Sequence, residues 1–188
     1  GYKKPAVFIS VEGDEWEESI DRSNDIVKKC ALSPKEIIDK VAEMGVVGMG
    51  GATFPTHVKL SVPPGQKAEC LIINAVECEP YLTSDDALMR EHPEEIIIGC
   101  TILMKALSVE RCIIGIENNK PEAIRTMSEV AKAYNGIEIV PLKKRYPQGG
   151  EKQLIDAVIR KQVASGALPI STGAVVQNVG TTFAIYQA

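Results

Sequence analysis

Three short stretches hold the residues able to do chemistry. The first runs Gly45-Val46-Val47-Gly48-Met49-Gly50-Gly51-Ala52-Thr53-Phe54-Pro55-Thr56-His57-Val58-Lys59, with four glycines in its first seven residues. Glycine lets a backbone take positive φ and approach a flat or phosphorylated ligand closely. Successive N–H groups in such a turn can face a single anion. Lys59 adds a mobile positive charge at the rim, and Phe54 a flat apolar face. The second stretch, Asn74-Ala75-Val76-Glu77-Cys78-Glu79-Pro80-Tyr81, groups an amide, two carboxylates and a thiol. The third, Lys143-Lys144-Arg145-Tyr146-Pro147-Gln148-Gly149-Gly150-Glu151-Lys152, sets a glycine pair behind a basic run. A turn between two helices would explain the first without a ligand, and a solvated basic turn the third.

Other chemistries fit these residues poorly. Glu77 and Glu79 have the types of a glycosidase acid/base pair, but a turn leaves their geometry unspecified and nothing sugar-like accompanies them. The two histidines, His57 and His92, are far apart in sequence and nominate no metal site. Cys78 lies between two glutamates, which disfavour its thiolate. No Ser–His–Asp set can be assembled, and no catalytic side chain is nominated. The five cysteines form no C-x-x-C pair, so neither a zinc knuckle nor an iron–sulfur ligand set is present. Most read as small buried hydrophobes of a reducing, cytosolic protein.

Composition narrows the class further. A chain of 188 residues is a prior for one domain, and 45% hydrophobic residues suffice for a core. A net charge of −4 argues against nucleic acid or an anionic membrane as partner. The longest apolar candidate, Ile96 to Leu107, is broken by Gly99 and Lys105 and reads as a buried helix, not a membrane span. Gly1 replaces an initiator methionine, and no signal peptide follows, which suggests a cut chain.

The elements that must position the three stretches follow from pattern. Ala6–Val11 reads as a short strand, and the acidic segment Glu12 to Arg22 around Trp16 as a surface connection. Ser33-Pro34-Lys35-Glu36 is a strong helix start, with Ile37, Ile38, Val41 and Met44 on one face and Gly45 as the stop. The glycine stretch therefore follows a helix. A dinucleotide fingerprint requires a preceding strand, and the phosphate-binding G-x-x-x-x-G-K-[ST] pattern is absent. Cys70–Ala75, Arg111–Ile116, Ile137–Leu142 and Ala174–Val179 read as buried strands. Helices are expected over Asp85–Arg90, Pro93 to about Leu107, from a cap at Asn119 to Tyr134, after Gly150, and from Gly180. That alternation implies right-handed βαβ crossovers and a mostly parallel sheet. The polar loops then share the carboxyl edge, where open α/β sheets bind ligands. N–H donors, carboxylates and lysines together suit a large, partly anionic, partly aromatic ligand: a nucleotide or flavin.

The same residues carry a resemblance. Gly45 to Leu60, Asn74 to Thr83, Tyr146 to Leu154 and Gln177-Asn178-Val179-Gly180-Thr181 resemble, in order, motifs of the C subunit of the Rnf electron-transport complex. The resemblance covers about Ser33 to the end. That subunit is similar in turn to the flavin-bearing, NADH-binding subunit of respiratory complex I. The resemblance implies a Rossmann-like three-layer α/β domain over residues 31–188, preceded by an N-terminal strand and connection over 1–30. It implies noncovalent FMN receiving hydride from NADH, with an NADH-dependent flavin oxidoreductase subunit as the activity. Gly48, Gly50, Gly51 and Lys59 would embrace FMN, with Asn74, Glu77 and Cys78 beside it. Gly150, Asn178 and Thr181 would complete the flavin pocket. Phe54, Glu79 and Glu151 would line the NADH side.

Three positions depart from the complex I pattern: Met49 for arginine, Val76 for aspartate and Lys152 for glutamate. Lys152 would weaken discrimination against a 2′-phosphate. Family members continue into a β-grasp (SLBB) domain and a module with two [4Fe–4S] clusters, so this chain is expected to be a fragment truncated before both. The implied partners are other subunits of a membrane-bound complex. The implied location is cytoplasmic and peripheral to the inner (cell) membrane, without direct insertion. Two alternatives stay open: a related flavin reductase (a cobalamin reductase or a proline-reductase-associated carrier), or a flavin-free docking scaffold of the same fold.

Overall fold

The structure is a computed structural model that describes residues 6–18, 20–23 and 25–188. Four strands, β1 (Cys70–Ala75), β2 (Cys112–Glu117), β3 (Ile137–Leu142) and β4 (Ala174–Asn178), form one sheet in the order β3-β2-β1-β4. Every pairing is parallel. The strands step outward from β1 to β3, then β4 returns to the far side of β1. The order therefore reverses between β1 and β4.

Helices α1 (Pro34–Glu43), α2 (Thr56–Leu60), α3 (Ser84–Glu91), α4 (Pro93–Leu107), α5 (Pro121–Ala131), α6 (Glu151–Ile159) and α7 (Val179–Gln187) surround the sheet. The strand period of two divides the core. Leu71, Ile73, Cys112, Ile114 and Val175 face a thick layer built on α1, α4, α5 and α7. Cys70, Ile72, Ala174 and Val176 face the other side, where α6 supplies Leu154 and Ile155. The expected three-layer α/β architecture is present. Among the described residues no helix is long and apolar enough to cross a membrane.

Local chemistry explains the element ends. Ser33 and Glu36 form the reciprocal capping box at α1, the Ser33 N–H donating to Glu36 Oε2 at 2.7 Å. Gly45 follows α1 at φ +65°. Two expectations need correction. Ala6–Val11 forms no strand; Val7, Phe8 and Ile9 stand exposed, because no described strand offers these residues a ladder. Lys120, not Asn119, is the N-cap of α5, since Pro121 supplies the first helical position. Thr56–Leu60 closes into a one-turn helix that places Lys59.

Two interior positions make tight demands. A Cβ on Gly99 of α4 would lie 2.5 Å from the Thr182 carbonyl oxygen on α7. Glu117 ends β2 fully buried, and no described group hydrogen-bonds either carboxylate oxygen. Burial pushes its carboxyl above the usual glutamate range and the Glu77 charge adds to this, while Asn119, Lys120 and Lys144 pull the other way.

Gly99→Ala should therefore destabilise the chain by about 2 kcal/mol in urea unfolding, through overpacking of α4 on α7. For Glu117 the folded state holds a proton that the unfolded state has lost between their two pKa values. Its contribution to stability falls as pH rises through that window and is level above it. Glu117→Gln should flatten this slope and raise stability at pH 8 by roughly 1 kcal/mol. An unchanged pH profile of the denaturation midpoint would contradict that.

Candidate functional site

The reversal of strand order between β1 and β4 opens a crevice at the carboxyl ends of the strands. Asn74, one residue before the end of β1, and Asn178, the last residue of β4, are Cα partners across the ladder. Asn74 Nδ2 donates to the Gly149 carbonyl at 2.9 Å, and its Oδ1 accepts the Val76 N–H at 3.1 Å. Asn178 Oδ1 caps α7 by accepting the Thr181 N–H at 3.2 Å, and its Nδ2 donates to Asp85 Oδ2 at 2.9 Å. A carboxamide has two N–H donors. Each asparagine therefore keeps one N–H beyond these bonds.

The glycine loop folds onto this pair from outside the sheet. The Gly48 N–H donates to the Phe54 carbonyl at 2.8 Å, and Val47 bridges Pro55, so the loop is closed on itself. The Met49 N–H then donates to Thr181 Oγ1 at 2.8 Å, which docks the loop on the first turn of α7. A Cβ on Gly50 would make only ordinary contact, 3.5 Å from Asn178 Cβ. Packing alone therefore leaves room there that a side chain would take. Gly51, at φ +106°, is where the turn itself requires glycine.

Lys59 is aimed at the crevice by α2. Its Nζ donates to Glu151 Oε1 at 2.8 Å and to the Val176 carbonyl at 2.8 Å. Both side chains of the ion pair are about one third exposed. Glu151 opens α6, whose cap Gly150 has no side chain to occupy the first N–H groups. The Tyr146–Pro147 peptide that precedes this turn is cis. A Cβ on Gly149 would lie 3.1 Å from Cys78 Sγ. On that side a cleft of about 640 Å³ is lined by Cys78, Glu79, Pro80, Lys144, Arg145 and Tyr146.

Gly48, Gly50, Gly51, Lys59, Asn74, Cys78, Gly150, Glu151, Asn178 and Thr181 therefore come together along one edge. Phe54, half-exposed, lies in the glycine loop, and Glu79 lines the neighbouring cleft. Glu77 is placed otherwise. Its carboxylate is 3% exposed and is taken up by Lys120 Nζ at 2.9 Å and by the Asp85 N–H at 2.9 Å. It supports the loop after β1 from behind. Lys152 is likewise committed, donating to the Ala164 carbonyl at 3.2 Å.

Sequence reading passes over Asp85 and Lys120. Asp85 looks like an acid in a helix's first turn, Lys120 like an ordinary loop charge; only the fold sets them against Asn178 and Glu77. Burial raises the Asp85 carboxyl above its usual range, and the Glu77 charge adds to this, while the Asn178 hydrogen bond and Lys120 oppose it. Among the described residues no group of three or more His, Cys, Asp or Glu could hold a metal ion.

Known proteins resemble this chain in sequence and in fold. Residues 41–187 match the family of the Nuo51 FMN-binding domain. The chain is 48% identical, over 99% of its length, to the C subunit of the proton-translocating ferredoxin:NAD(+) oxidoreductase complex of Clostridium ljungdahlii. It is 44% identical, over 89% of its length, to the C subunit of the Na(+)-translocating ferredoxin:NAD(+) oxidoreductase complex of Acetobacterium woodii. The chain spans 40% and 36% of those two relatives' lengths. Among solved structures, an NAD+-reducing [NiFe]-hydrogenase in the H2-reduced state superposes with a TM-score of 0.69 at 26% identity. That match covers 82% of this chain and 30% of the hydrogenase chain. With the matched span running from α1 through α7, the chain belongs to the Nuo51 FMN-binding domain family, in the branch of the Rnf-type C subunits.

Proposed function

We propose that this chain is the FMN- and NADH-binding part of an Rnf-type electron-transfer subunit. The observation that carries the reading is the facing of Asn74 and Asn178 at the β1/β4 reversal, with the glycine loop and Lys59 closed over them. Family membership and the names of the relatives support it. Bound FMN would accept the hydride of NADH and pass its two electrons singly to [4Fe–4S] clusters carried elsewhere in the whole protein. The work of this chain is binding, orientation and electrostatics.

Each residue has a part suited to that work. The glycine loop admits a flat ring system against Asn178 without a side chain in the way. Lys59, half-screened and already held by Glu151 and the Val176 carbonyl, brings positive charge to an anionic cofactor. The free N–H groups of Asn74 and Asn178 can donate to the acceptor edge of a flavin ring. The cleft beside Cys78 and Glu79 gives room for the second nucleotide, with Lys144 and Arg145 for its phosphates. No side chain is asked to act as acid or base. In the whole protein, partner subunits would take the electrons and supply any attachment to a membrane.

Titration of the flavin-free chain with FMN, followed by flavin fluorescence, should show saturable one-to-one binding. Lys59→Ala should weaken it about tenfold, the order expected for a lost charge-assisted contact, and Gly50→Val should weaken it more by filling the cradle. NADH should then bleach the absorbance of the bound flavin. A chain that folds but takes up no FMN would leave the docking-scaffold reading in its place.

A further inference from the structure

A set of hydrogen bonds runs along the crevice and passes through three residues nominated for the cofactor: Glu77, Asn178 and Thr181. Lys120 Nζ meets Glu77 Oε2 at 2.9 Å, and Glu77 Oε1 accepts the Asp85 N–H at 2.9 Å. Asp85 Oδ2 accepts from Asn178 Nδ2 at 2.9 Å. Asn178 Oδ1 accepts the Thr181 N–H at 3.2 Å, and Thr181 Oγ1 accepts the Met49 N–H at 2.8 Å. The set joins the β2–α5 connection, the first turn of α3, the end of β4 and the glycine loop.

Asp85 is the member whose presence the fold explains least. A carboxylate pays a desolvation cost in a partly buried position, and Glu77 beside it adds a like charge. A helix first turn favours acids, but Asp86, one residue on, serves that preference from the surface side, paired with Arg90 at 3.3 Å. What Asp85 alone does is accept from Asn178. A carboxamide can flip end for end, and its two ends have opposite hydrogen-bonding character. The Thr181 N–H requires an oxygen on one side, and the Asp85 carboxylate a donor on the other. Together they leave one orientation. Asp85 is itself anchored, since its own N–H is held by Glu77, which the buried Lys120 neutralises.

We infer that Asp85 is a positioning residue: it fixes the Asn178 carboxamide so that its second N–H is presented to a ligand lying against Gly50. The inference rests on the FMN reading and adds to it a residue outside the ligand-contacting set. Loss of the acceptor leaves Nδ2 unpaired and lets the amide turn. The conservative amide at position 85 still carries an oxygen that can accept.

The test is FMN titration of the flavin-free chain with Asp85→Ala, Asp85→Asn and Asn178→Ala, alone and combined. Asp85→Ala should weaken FMN binding about tenfold, Asp85→Asn should restore it to within about twofold of the parent, and Asp85→Ala should add nothing to Asn178→Ala. A purely structural carboxylate would give neither the rescue nor the lack of additivity. Should Asp85→Ala fail to fold by circular dichroism, Asp85→Ser, too short to reach the amide, replaces it. Parent-like binding by the Ala variant, equal weakening by Ala and Asn, or full additivity with Asn178→Ala would each overturn the inference alone. Absence of FMN binding by the parent chain would instead overturn the reading beneath it.

Discussion

The site depends on one topological constraint: β1 is central, and the chain leaves it on one side and returns on the other. In a parallel sheet all strand ends and the first turns of following helices share an edge. At the reversal between β1 and β4, Asn74 and Asn178 stand in register beside one another. A one-residue slip of β4 would turn Asn178 to the other face of the sheet and away from its place beside Asn74. Register and site are therefore one property of the β1–β4 ladder.

Charge around the crevice is of two kinds, and burial separates them. Glu77 and Lys120 are nearly removed from water, at 3% and 13% exposure. Breaking such a pair leaves an uncompensated charge and costs several kcal/mol, so it acts as a fixed strut. Lys59 and Glu151 form an equally short contact at about one third exposure. Water screens that pair, and exchanging Glu151 for another anion at Lys59 costs little. The fold thus keeps a rigid pair behind the wall and an exchangeable pair on its face. That division suits a site which must accept and orient an anionic ligand without rebuilding its frame.

Much of this architecture is legible in the chain itself. Continuous apolar runs such as Cys70–Ala75 mark strands covered on both faces, and a capping box marks the start of α1 to the residue. The loops that follow those strands are then expected on one edge, and the structure places Asn74, Gly150 and Asn178 there. The less legible parts depend on distant partners. Ala6–Val11 has strand-like composition, but that composition describes a fit to a pleated neighbour, and no described residue supplies one. Glu77 looks like a ligand because it is polar and sits in a motif; its diversion depends on Lys120, 43 residues later in the chain. Asp85 is invisible for the same reason, since its partner Asn178 is 93 residues away.

The position of Lys152 changes what its replacement of an acidic residue means. From sequence, a lysine there would draw a 2′-phosphate toward the site. In the fold its ammonium reaches the Ala164 carbonyl at the outer end of α6, and Glu151 beside it faces Lys59. Adjacent helical positions diverge by about 100°, so one can serve the crevice while its neighbour braces the loop after the helix. Lys144 and Arg145 instead line the cleft, with Glu79 opposite in charge. The charge of that open cleft, about 640 Å³, is therefore set by those three side chains and not by Lys152.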